Sequence, residues 1–167
     1  PSNPWISGVG ALFSKEFYRF VPRHLNEHGL FVQWVQLYEI NDALLGSILK
    51  AMVPEFEDYV AYLSNQSDLL IIASPKGPVP KLNPAPLLAG VKSQMDLKRI
   101  GIENAEQLGF RQIADSRLIR ALSQLHPHQP ANSDFYPILS LEAPKARFKN
   151  GLAETTQSLP VINRPLL

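Results

Sequence analysis

Gly29-Leu30-Phe31-Val32-Gln33-Trp34-Val35-Gln36 constrains this chain more than any other stretch. Its nearly continuous run of apolar and β-favouring residues suits a parallel strand buried on both faces, since a half-exposed strand would alternate. Such a strand needs helices around it, and the flanking sequence supplies them. From Ala11 to His28 the residues Leu12, Phe13, Phe17, Tyr18, Phe20, Val21 and Leu25 recur at helical spacing, with Gly29 as a left-handed stop. The pattern predicts an amphipathic helix in which Pro22, whose ring and missing N–H disturb a helix interior, kinks the helix or starts a new turn, and a bend is expected there. A second helix is expected from Asn41 or Asp42, as cap, to Val53, where Pro54 ends it.

Two further strands are expected at Asp58 to Leu63 and Asp68 to Ser74. The polar link Ser64-Asn65-Gln66-Ser67 is short enough for a hairpin, hence antiparallel pairing. Pro75, Pro78, Pro80, Pro84 and Pro86 then make residues 76–86 an extended connector. Beyond it, Leu87 to Ile100 and Ala105 to Leu125 read as helical with breaks, the second capped anew by Asp115 or Ser116. Asp134 to Leu141 reads as a short strand or extended segment, and the tail after Asn150 as loose. The chain so divides into a main unit at 1–75, the connector, a helical appendage at 87–127, an extended segment at 128–148 packing back, and a flexible tail at 149–167.

Sixteen Lys and Arg against fifteen Asp and Glu leave a net charge of +1, scattered rather than blocked, so no electrostatic footprint for nucleic acid is present. The absence of cysteine excludes disulfides and thiolate metal sites. No apolar run approaches the roughly 18 residues of a membrane span, so no membrane contact by this segment is expected. A cytoplasmic setting fits, with the parent chain free to be tethered elsewhere. His24 and His28 are spaced i, i+4 without a third ligand, which favours helix-terminal charge over metal binding. Ser14, Ser47 and Ser123 lack the surroundings of a hydrolase nucleophile.

Helix, buried strand, helix and terminal hairpin is the order left when a doubly wound α/β domain loses its first half. The chain is therefore expected to be a C-terminal half of such a domain. Two sets of residues sharpen this expectation: Pro1-Ser2-Asn3-Pro4-Trp5-Ile6-Ser7-Gly8-Val9 with Leu12-Phe13-Ser14-Lys15-Glu16-Phe17-Tyr18, and Gly29-Leu30-Phe31-Val32-Gln33-Trp34. Together they resemble the spermidine synthase (polyamine aminopropyltransferase) family, in particular its larger bacterial spermidine synthase-like members. The likeness covers residues 1–75, with a weaker echo in Asn132-Ser133-Asp134-Phe135-Tyr136-Pro137 through Glu142-Ala143-Pro144.

The resemblance implies the Rossmann-like fold of class I methyltransferases and transfer of an aminopropyl group from decarboxylated S-adenosylmethionine to a polyamine or other amine. Of the two aspartates that serve that family before its Pro, the second falls at Asn3 and the first would precede Pro1, so the presumed base lies outside the chain. A neutral amide at Asn3 lacks the countercharge for an ammonium, which puts ordinary diamine specificity in doubt and opens S-adenosylmethionine-dependent methyl transfer, or a fold without chemistry, as alternatives. The loop Ser64 to Ser67 is too short for the family's tyrosine-bearing substrate loop. Asn3, Trp5, Gln36, Tyr38 and Asp134 are the implied substrate contacts, with Glu39 on the same rim, and Pro4 the implied contact to the nucleoside. No glycine-rich cofactor turn follows a predicted strand, and Gly8-Val9-Gly10 does not replace one, so no cofactor is expected on this segment alone. Its partner is the missing N-terminal half of the same domain. Without that half the Leu30 to Gln36 strand has an unpaired edge, and a chain that is poorly stable or that self-associates as a homo-oligomer is expected.

Overall fold

The computed structural model describes residues 3–65 and 67–162; Pro1, Ser2, Gln66 and the end of the expected tail, 163–167, lie outside the described residues. The expected first helix is divided in three. A 3-10 turn over Val9–Phe13 stops at Ser14, whose backbone is extended, and α1, Lys15–Phe20, starts with Ser14 Oγ accepting the Phe17 N–H at 3.2 Å. Pro22 lies at the start of a second 3-10 turn, Val21–His24. There its missing N–H costs nothing, because the first turn has no partner for it. The apolar spacing ran across a cap and a new start, which corrects the single bent helix.

β1, Phe31–Gln36, and α2, Asp42–Met52, fall where expected, with Asn41 Oδ1 accepting the Leu44 N–H at 2.9 Å. β2, Asp58–Leu63, and β3, Asp68–Ser74, form the antiparallel hairpin. Its turn is tied by Asn65 Oδ1, which accepts the N–H groups of Ser67 and Asp68, each at 2.8 Å. The sheet order is β1-β3-β2-β4 and each of its hydrogen-bonded pairs is antiparallel. Thus β1 has no parallel neighbour here, a correction to the expected parallel pairing. β3 returns between β1 and β2, which consequently run in the same direction, joined by the α2 crossover.

Beyond β3 the proline-rich stretch is irregular to Pro84, and two short helices follow, α3 at Ala85–Ala89 and α4 at Val91–Arg99. The helix expected over Ala105 to Leu125 is interrupted: α5, Ala105–Gly109, gives way to β4, Gln112–Asp115, and then to α6, Ser116–Gln124. Gln-Ile-Ala-Asp carries little local strand signal; its conformation follows from the open edge of β2 and from burial of Ile113 and Ala114. Asp115 does cap α6, its Oδ1 accepting the Leu118 N–H at 2.9 Å. The segment expected as extended contains a turn and then α7, Ile138–Phe148, disguised in sequence by Pro144 inside it. The tail expected to be loose holds α8, Glu154–Ile162, preceded by buried Ala153 and burying Thr156 and Leu159.

Directly opposed residues of antiparallel strands share a face. Phe31, Ala73 and Tyr59, then Gln33, Ile71 and Ala61, then Val35, Leu69 and Leu63 form one face by register. Leu45 and Leu49 of α2, Ile119 and Leu122 of α6 and Leu159 of α8 converge on it. Phe13, Tyr18 and Leu139 extend the same core. The other face presents Val32, Trp34, Leu70, Ile72, Val60 and Tyr62, none fully buried. Burial of β1 on both faces is accordingly corrected, Val32 being 54% exposed and Trp34 only half-buried. Among the described residues no helix is long and apolar enough to cross a membrane.

Candidate functional site

The carboxyl end of β1 is where three of the sequence-selected residues meet. The chain enters through a tight turn in which Asn3 C=O accepts the Ile6 N–H at 3.0 Å and Pro4 is buried. Trp5 then packs edge-on against Tyr38, with ring centroids 6.2 Å apart at 62°. Tyr38 lies two residues beyond the strand, and an isolated antiparallel bridge to Leu152 fixes it, beside an Ala153 N–H to Leu37 C=O bond of 3.0 Å. This contact brings the Asn3-Pro4-Trp5 turn to the end of a strand from which it is remote in sequence.

Arg147, which the sequence did not single out, completes this corner together with Glu39, which was read on the same rim. The Arg147 guanidinium lies 5.4 Å from the centre of the Trp5 ring, a cation–π arrangement, and its Nε is 3.6 Å from Glu39 Oε2. Glu39 adopts φ 54°, a left-handed backbone uncommon for a side-chain-bearing residue. The strain places its carboxylate beside Arg147 at the rim. Arg147 belongs to α7, and the helix that would have announced it was hidden by Pro144.

Gln36, the last residue of β1, is fully buried, and neither its Nε2 nor its Oε1 has a hydrogen-bond partner among the described residues. Its register partner is Asp68. Asp68 Oδ2 accepts from Asn65 Nδ2 at 2.6 Å, while Asp68 Oδ1 is buried without a partner. Asp68 was passed over in the sequence as a strand boundary. Gln33, by contrast, is structural: its Oε1 accepts the Tyr18 hydroxyl at 3.1 Å and its Nε2 donates to Trp34 C=O at 3.0 Å. Burial pushes the Tyr18 phenol well above its ordinary range.

Asp134 is not brought to this corner. Its N–H donates to Glu16 Oε2 at 3.0 Å, and it lines a cleft of about 290 Å³ with Gly8, Ser133 and Ser140. Glu16 also accepts the Ser133 hydroxyl at 2.9 Å. Burial opposes ionisation of Glu16, but these bonds and its own backbone N–H outweigh it and hold the carboxyl below its ordinary value. Gly8 has φ 82° and precedes a 3-10 turn of five residues, which is no phosphate-binding helix start. His24 Nδ1 is 3.1 Å from Phe20 C=O, and among the described residues no group of three metal-ligating side chains is assembled. An open cleft of about 530 Å³ runs between β4 and α6 and is lined by none of the sequence-selected residues.

Comparison of the chain with protein-family models, with curated proteins and with solved structures found no match.

Proposed function

We propose that this chain carries the second half of a spermidine synthase-like domain, which with its first half transfers an aminopropyl group from decarboxylated S-adenosylmethionine to an amine. The observation that carries the reading is the contact of Trp5 with Tyr38. It seats the Asn3-Pro4-Trp5 turn at the carboxyl end of β1, and open α/β sheets bind their ligands at the carboxyl ends of strands. The finer fold reading, half of a Rossmann-like class I methyltransferase domain, is supported by β1 and β2 running in one direction with α2 crossing between them. It is supported also by the position of β1 at the sheet edge, open to a parallel strand of the first half.

In this reaction the amine nitrogen attacks the methylene carbon beside the sulfonium. The C–N bond forms as the C–S bond breaks, the electron pair stays on sulfur, and methylthioadenosine leaves. The nitrogen must shed a proton to a base, and that base belongs to the first half. This half contributes the amine-side wall, with Asn3, Trp5, Gln36 and Tyr38. The test is calorimetric titration of the full-length protein, and of this chain alone, with decarboxylated S-adenosylmethionine and with S-adenosylmethionine. Binding of the decarboxylated form by the full-length protein only is expected. Preference for S-adenosylmethionine transfers the assignment to a methyltransferase, and silence with both overturns the enzymatic reading.

A further inference from the structure

Gln36 and Asp68 leave three buried polar atoms without a partner, the Nε2 and Oε1 of the amide and the Oδ1 of the carboxylate. The two residues are directly opposed in the β1–β3 ladder, so their side chains rise from one face with Cβ atoms about 4.5–5.5 Å apart. None of the ion pairs among the described residues involves Asp68. Its other oxygen is engaged by Asn65, so the unbonded one is free for a second donor. Unbonded buried amides and carboxylates are costly, and folded proteins rarely tolerate them without use.

The atoms themselves define what satisfies them. Two of the three are acceptors on directly opposed residues, one of them a carboxylate oxygen, and a group that can satisfy both is a cation with at least two N–H donors on one nitrogen, while Gln36 Nε2 calls for an acceptor. A primary ammonium has three. A neutral hydroxyl supplies hydrogen bonds but leaves the carboxylate charge uncompensated. Asn3 and Gln36 are neutral and the Glu39 carboxylate at the rim is already paired with Arg147, whereas Asp68, cross-strand from Gln36, has no ion pair among the described residues.

We propose that Asp68, with Gln36 Oε1, binds the ammonium end of the amine substrate and supplies the negative charge that Asn3 lacks. The identity of the amine as a substrate rests on the aminopropyltransferase reading; its binding does not. The test follows the Gln36 side-chain NH2 resonances of the ¹⁵N-labelled full-length protein during titration with 1,4-diaminobutane, and in parallel with neutral 1,4-butanediol. A saturable shift with the diamine alone is expected, with affinity weakened at least about tenfold in Asp68→Asn and unchanged in Asp96→Asn, an exposed carboxylate on α4. No shift, an equal shift with the diol, undiminished affinity in Asp68→Asn, or a direct Gln36 Nε2 to Asp68 bond detected in the free chain each overturns the site. The diamine–diol comparison needs no variant and stands even where Asp68→Asn fails to fold. Diamine binding here together with silence of the full-length protein toward both nucleosides would keep the site and remove the transferase; the reverse pattern would remove the site alone.

Discussion

Replacing Asn132 by alanine should loosen the packing that holds the site, by an amount that can be worked from its bonds. Asn132 is 1% exposed and lies in the loop before α7. Its Nδ2 donates to Gly10 C=O at 2.9 Å and its Oδ1 accepts the Leu139 N–H at 3.1 Å. Its backbone adds bonds to Ser47 and Lys15, which alanine retains. The substitution therefore strands one carbonyl and one N–H in buried surroundings, each costing about 1–3 kcal/mol, or about 2–6 kcal/mol together. Against the about 5–15 kcal/mol that holds a typical domain, this is a large fraction. Urea denaturation of Asn132→Ala should show a lower midpoint at unchanged m, and hydrogen exchange should show lost protection at the Leu139 amide. Because α7 carries Arg147 to the Trp5 ring, Trp5 emission should shift as well. A loss below about 1 kcal/mol with the Leu139 amide still protected would refute the accounting, since two stranded buried groups cannot cost so little.

Three other outcomes follow from the same bonds. Glu16 has a folded pKa below its unfolded value, so its stabilisation is full above the ordinary carboxylate range and is lost as pH falls below about 4.5 through the folded pKa; Glu16→Gln should flatten that acid limb in melts run from pH 6 downwards. Lys50 Nζ donates to the carbonyls of His126 at 2.6 Å, Gln129 at 2.5 Å and Pro127 at 3.3 Å, so Lys50→Met should cost about 1–3 kcal/mol and expose the 126–130 loop to protease. A Cβ on Gly10 would stand 2.5 Å from the exposed Ser140 Oγ, which can rotate aside, so Gly10→Ala should cost no more than about 1 kcal/mol in thermal melts, and less still with Ser140→Ala in the same chain.

What the sequence made legible is what local chemistry decides. Asn41 before an apolar helix, Asp115 before Leu118 and the polar turn through Asn65 each act within three residues of themselves, and each lies where it was read. β4 was illegible because four residues with two apolar centres specify nothing until β2 offers an edge. α7 was illegible for the opposite reason: Pro144 argues locally against the helix, and burial of Leu139, Ala143 and Ala146 overrides it. In the candidate site, Trp5, Gln36 and Tyr38 were reachable because they flank a recognisable turn and strand. Arg147 and Asp68 were not. One depended on the hidden helix, the other on a register that only the folded hairpin defines.

The two edges of the sheet differ in a way that bears on the proposed function. β4 is four residues long, pairs with β2 through a register shift, ends at Asp115 and is flanked by Arg111 and Arg117, all devices that discourage further pairing. β1 has none of them: Phe31–Gln36 contains no charge and no proline. Since the Leu37 N–H bonds to Ser67 across β3, the alternation of the ladder turns the backbone groups of Val32, Trp34 and Gln36 outward. Of these, the Trp34 carbonyl is capped by Gln33 Nε2. Beside this edge, Leu12, Phe13, Phe17, Phe31 and Val32 line an apolar cleft of about 230 Å³. An edge without guards beside an apolar cleft has the chemistry of a sheet interior. In the proposed reading that edge pairs with the first half, which would carry the base within reach of Gln36, Asp68 and the Trp5–Tyr38 corner. In that reading the strand whose open edge predicts self-association of the isolated chain is the same strand that assembles the site.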